Sequence, residues 1–77
     1  LPKNNNLIKA RKENNYTQEE LANKVGCKKT TISNWENGIA TPKLHDAYIL
    51  SQILKKDIGH LFFSNEVQEN HTKIEVV

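Results

Sequence analysis

Apolar residues recur along this chain in short clusters at helical spacing, separated by asparagine, glycine and proline. Leu7, Ile8 and Arg11 form the first cluster, in a segment running from about Asn4 to Asn14. Leu21, Ala22 and Val25 form the second, and Ile32 and Trp35 share one face with Lys28 in the third. From Leu44, the positions Ala47, Tyr48, Leu50, Ser51 and Leu54 trace a fourth face, with Ile49 and Ile53 at its edge. Ile58, Leu61 and Phe62 make a short fifth. A repeat of three to four residues is the signature of helices that bury one face. The pattern predicts five helices and an all-α domain over residues 1–64, followed by a tail over 65–77.

Boundary residues sharpen this reading. Thr17, followed by Gln18, Glu19 and Glu20, offers a hydroxyl cap and acids in the positive first turn, with the three-residue spacing of a capping box. Gly26 suits a left-handed helix stop, and Asn37-Gly38 repeats that signal. Asn14-Asn15 marks the end of the first helix, after which Tyr16 packs back into the core. Thr41-Pro42 is expected to open the fourth helix, since proline is tolerated at a first helical position. Asp57 is expected to cap the fifth.

The third helix, expected from about Lys28 to Asn37, carries Thr30, Ser33, Asn34 and Asn37 on the face opposite its apolar residues. Small hydrogen-bonding side chains fill that outer face. Ala22 on the preceding helix allows a close crossing, because helices approach only where side chains are small. Two short helices around a glycine turn, the second polar outside, constitute a helix-turn-helix.

On these residues, Thr17 to Gly38 resembles the lambdoid-phage repressor and Cro family, also called the xenobiotic-response-element type. The residues that carry the likeness are Gln18, Glu20, Leu21, Ala22, Val25, Gly26, Ile32, Ser33, Trp35, Glu36 and Gly38, and it extends over roughly residues 4–63. The resemblance implies a five-helix, lambda-repressor-like domain that binds double-stranded DNA through the major groove. By matching positions it implies base contacts from Lys29, Thr30, Ser33 and Asn34. Lysine donates to guanine, asparagine pairs with adenine, and a threonine methyl meets the thymine methyl. It places Gln18, Asn37 and Lys43 on phosphates, contacts that fix register without reading sequence. It also implies a structural ion pair between Arg11 and Glu36, with Trp35 in the core.

The chain departs from the family at Lys28, where a serine or threonine cap is usual, and at Cys27, where an apolar residue is usual. Lys28 and Lys29 put two cations at the positive end of a helix, unfavourable by roughly 0.3–1 kcal/mol each. A nearby phosphate resolves that conflict by meeting both the lysines and the free amides, so Lys28 joins the phosphate contacts.

Composition narrows the function classes. The 77 residues carry a net charge of +2. Residues 66–77 hold three glutamates against one lysine, leaving +4 on residues 1–65, a modest basic bias suited to phosphate. The single cysteine excludes an internal disulfide and a cysteine-based zinc site. His45 and Asp46 are adjacent and point apart on a helix, while His60 and His71 offer no compact ligand spacing. No enzyme, metal or cofactor is expected. No apolar run approaches the length of a membrane span and no signal-peptide pattern appears, so the expected compartment is the reducing cytoplasm.

The tail alternates polar and apolar residues from Thr72 to Val76, a short strand signal. An isolated strand is unstable in water, so this one needs a partner or is disordered. The expected function is a transcriptional regulator, a repressor acting as a homodimer on an inverted repeat, with the tail and fifth helix in the dimer contact. The alternative is an antitoxin or anti-repressor that binds a protein partner through the tail and uses DNA binding for autoregulation.

Overall fold

The computed structural model describes residues 2–63, and these form five helices: α1 (Asn5–Glu13), α2 (Gln18–Val25), α3 (Lys29–Glu36), α4 (Leu44–Leu54) and α5 (Ile58–Phe62). No strand occurs among the described residues, and the fold is all-α. The strand and dimer contact expected of residues 65–77 lie outside the described residues.

One core organises the bundle. Leu7, Ala10, Leu21, Ala22, Ile32, Trp35, Leu50, Leu54 and Leu61 bury together, with Tyr16, Val25, Cys27, Ile53 and Phe62 packed at the margin. Each helix donates the apolar positions of its inner face. The most extensive pairing is α2 against α3, while α1 lies on α5 and α3, and α4 lies on α5 and α2. Ala22, almost fully buried, lets α2 and α3 cross closely.

Local chemistry sets where the helices start and stop. At Thr17 the hydroxyl accepts from the Glu20 amide at 3.0 Å, and the Glu20 carboxylate accepts from the Thr17 amide at 2.9 Å, a complete capping box. Asn4 caps α1 in the same manner, its Oδ1 accepting from the Leu7 amide at 3.0 Å. Four helices end through a residue in the left-handed region: Asn15 after α1, Gly26 after α2, Gly38 after α3 and Lys55 after α4. In each case the next amide reaches back to the last turn: Tyr16 to Arg11, Cys27 to Ala22, Ile39 to Asn34 and Lys56 to Ser51.

Two asparagines fasten both ends of α1 to the rest of the bundle. The Asn4 side-chain amide donates to the Leu61 carbonyl at 2.7 Å, and its backbone amide donates to the Glu36 carbonyl at 2.8 Å. At the other end, the Asn14 side-chain amide donates to the Leu54 carbonyl at 3.1 Å. Free carbonyls at helix ends need such partners.

Three expectations require correction. Thr41-Pro42 does not open α4; the helix begins at Leu44 with Lys43 in the capping position. Proline fixes its own φ but does not oblige the following residues to be helical, and Pro42 closes the loop instead. Leu44 and Tyr48 do not face the core, being 77% and 55% exposed. The buried stripe of α4 is Ala47, Leu50, Ser51 and Leu54, which is narrower than the apolar pattern suggested. Asp57 occupies the capping position of α5, but its side chain makes no capping hydrogen bond.

Candidate nucleic-acid interface

The outer face of α3 is built by the burial of its inner face. Ile32, Trp35 and Glu36 point into the domain, which forces the residues a half-turn away towards solvent. Thr30 and Asn34 are exposed, Ser33 and Asn37 are half-buried, and the four, at positions i, i+3, i+4 and i+7, lie along a single stripe. Lys29 is exposed in the first turn beside them. The Asn37 side-chain amide donates to the Ser33 hydroxyl at 3.2 Å, so these two hold each other in place. A polar stripe with one internal bond is a preorganised set of donors and acceptors on a rigid element.

Lys28 takes the capping position of α3 and supplies no side-chain cap. Lys43 does the same at the start of α4. The first-turn amides of both helices therefore present positive dipole ends with a lysine beside each. Ile39, exposed in the connecting loop, adds apolar surface between Asn37 and Lys43.

Behind the stripe lies a buried ionic network. Arg11 Nε donates to Glu36 Oε2 at 2.6 Å and an outer guanidinium nitrogen donates to Oε1 at 3.2 Å, a bidentate pair. The third guanidinium nitrogen donates to the Tyr16 carbonyl at 2.8 Å. Gln18 Nε2 also donates to Glu36 Oε1, at 2.9 Å. A carboxylate only accepts, so the amide nitrogen of Gln18 must face inward here, and one of its two N–H groups is used within the protein. Sequence reasoning gave no sign of this Gln18–Glu36 bond, because the partners lie eighteen residues apart on different helices. The same holds for the Asn4 bond to Leu61, of which only the capping half was written in local sequence.

Cys27 sits half-buried in the turn between α2 and α3. Burial pushes its thiol up from the ordinary range, and the Asp46 carboxylate adds to the shift. Both effects favour the neutral thiol, which behaves as a small hydrophobe. Among the described residues no three His, Cys, Asp or Glu side chains gather as a metal site requires, and no helix is long and apolar enough to cross a membrane.

The helix-turn-helix family matches residues 7–61, a span that takes in all five helices except the first two residues of α1 and the last residue of α5. The chain is 38% identical over 52 residues to an uncharacterised HTH-type transcriptional regulator of Archaeoglobus fulgidus, covering 68% of this chain and 73% of that protein. It is 42% identical over 45 residues to the antitoxin HipB of Escherichia coli O6:H1, covering 58% of this chain and 48% of that protein, or about half its length. No solved structure matches the chain. With five helices in the right order, a glycine-stopped α2 crossing a polar-faced α3, and a family match over most of its length, the chain belongs to the helix-turn-helix family of the Cro/C1 type.

Proposed function

We propose that the chain is a sequence-specific double-stranded DNA-binding transcriptional regulator that lays α3 in the major groove. The observation that carries this reading is the polar stripe of Thr30, Ser33, Asn34 and Asn37, opposite a buried face and flanked by Lys29. Lys29, Thr30, Ser33 and Asn34 read base edges, since their donors and methyl groups match what the major groove displays. Gln18, Lys28, Asn37 and Lys43 hold phosphates on either side and fix the register. Gln18 does so through its second amide N–H, the first being engaged by Glu36. The protein acts in the cytoplasm as a repressor, and as a homodimer on an inverted repeat with half-sites about one helical turn apart.

Amide resonances mapped by NMR during titration with a duplex test the placement. Shifts concentrated at the start of α2, along α3 and through Lys43 support it. Shifts concentrated on α1 and α5 contradict it.

The antitoxin relative favours a second reading, in which a partner protein is the main ligand and DNA binding serves autoregulation. Half-exposed Phe63 at the end of α5 supports it by offering apolar surface. A co-purified protein that protects the C-terminal residues from proteolysis, and whose removal leaves DNA affinity unchanged, selects this reading.

A further inference from the structure

The residues before α1 enter the bundle at the far end of α3. The Asn4 backbone amide donates to the carbonyl of Glu36, the last residue of α3, and the Asn4 side chain donates to Leu61. These two bonds hold the chain at Asn4 and fix where the preceding residues lie. Pro2, Lys3 and Asn4 form one wall of a cleft of about 340 Å³ whose other walls include Gly38, Ala40 and Thr41. That loop joins Asn37 to Lys43, the two residues to which phosphate contacts are assigned at this end of the interface. Lys3 is exposed and makes no ion pair among the described residues.

We infer that Lys3 is an additional phosphate ligand, extending the backbone contacts of the α3–α4 loop onto the segment that precedes α1. The role presupposes the DNA-binding reading and deepens it. A lysine here serves as a point charge on a flexible stem, which suits a phosphate and not a base edge. It adds affinity without adding sequence preference. A competing role is purely structural. α3 has no basic residue in its last turn, and a cation near its C-terminal end relieves the negative pole of the dipole. The two roles separate in experiment, because the first changes the salt dependence of binding and the second changes the stability of the free protein.

The test measures affinity against salt concentration for the wild type, Lys3→Ala, Lys43→Ala and Lys12→Ala, on the duplex that selection from a random pool recovers. Lys12 lies at the opposite end of α1 and controls for the loss of one charge anywhere on the molecule. Each phosphate contact contributes about 0.9 to the slope of log affinity on log salt. Lys3→Ala is expected to lower the slope by about that amount, with unchanged base preference and an unchanged unfolding midpoint, while Lys12→Ala leaves the slope as it was. A normal slope for Lys3→Ala alongside a reduced one for Lys43→Ala overturns the Lys3 assignment alone. Equal losses for Lys3→Ala and Lys12→Ala also overturn it, in favour of bulk charge. An altered unfolding midpoint with a normal slope assigns Lys3 the structural role. A wild type that binds no duplex overturns the DNA-binding reading itself.

Discussion

Gln18 Nε2 lies 2.9 Å from Glu36 Oε1 and donates a hydrogen bond to it, joining the first residue of α2 to the last residue of α3. The same carboxylate receives two bonds from Arg11 on α1. One anion, 2% exposed, thus ties three helices at a single point. The consequence reaches the interface, because Gln18 and the neighbour of Glu36, Asn37, are both assigned to phosphates. The buried network therefore holds these two residues at a fixed spacing.

Removing either charge of that network is expected to be costly. Arg11→Ala leaves Glu36 buried without its counter-ion, which typically destabilises by about 3–5 kcal/mol. A domain this small has only about 3–9 kcal/mol in total, so this variant should lose a third or more of its stability. Replacing both members by apolar residues, as in Arg11→Met with Glu36→Leu, should cost clearly less than the sum of the single changes. Urea unfolding of the wild type, Arg11→Ala, Arg11→Met, Glu36→Leu and the double variant measures this. A loss below about 1 kcal/mol for Arg11→Ala would mean the pair acts like a solvated surface bridge.

Lys55 ends α4 at φ 59°, a conformation that a side chain with a Cβ adopts only at a cost. Lys55→Gly is expected to stabilise the domain by about 1 kcal/mol, which corresponds to roughly 4–8 °C in melting temperature for a domain of this size. The mirror experiment is Gly26→Ala. A Cβ there meets no neighbouring atom, yet φ is 90°, so the loss of about 1 kcal/mol comes from the backbone alone. Thermal melts of both variants check the pair of signs.

The fold was legible in sequence where the signals are local. The capping box at Thr17 and Glu20, the stop at Gly26 and the apolar faces of α2 and α3 involve residues within four positions of each other, and short-range physics determines them. Lys55 and Pro42 misled or gave no sign for opposite reasons. A lysine in a left-handed cap runs against its own backbone preference, so nothing local announces it, and a proline is compatible with a loop as well as with a first turn. Leu44 and Tyr48 show the limit of periodicity: the spacing of apolar residues says that they share a face but not whether anything covers it. The polar stripe of α3 was legible because it is one helix face, whereas the Gln18–Glu36 and Asn4–Leu61 bonds join distant segments and exist only once the bundle has closed.

Cys27 should react slowly. Its raised pKa means less thiolate at any given pH than a free cysteine has, and the thiolate is the reactive species. Folding stability drawn from this group is fully present below the thiol's ordinary pKa and is lost as pH rises through the folded value. Alkylation at mildly alkaline pH is expected to be slower in the folded protein than in urea. Equal rates in the two states would show that burial does not protect the thiol.

Asn34→Ala and Lys43→Ala should weaken binding in different ways. Asn34→Ala is expected to relax the preference at one base position, at a cost of about 1–3 kcal/mol on the preferred sequence only. Lys43→Ala is expected to weaken binding by a similar factor on every sequence and to reduce the salt slope by about 1. Affinities on the preferred duplex and on a scrambled one, each at several salt concentrations, distinguish the two. Equal losses on both duplexes for both variants would mean that the base and phosphate roles are wrongly divided.

The central claim is that α3 reads a DNA sequence, and the most direct measurement is selection of bound duplexes from a random pool at two salt concentrations. The expected result is enrichment of an inverted repeat at both, with half-sites about one helical turn apart and bases that match the donors of Lys29, Thr30 and Asn34. Binding without enrichment, vanishing at the higher salt, would contradict the claim by reducing the interaction to phosphate attraction alone.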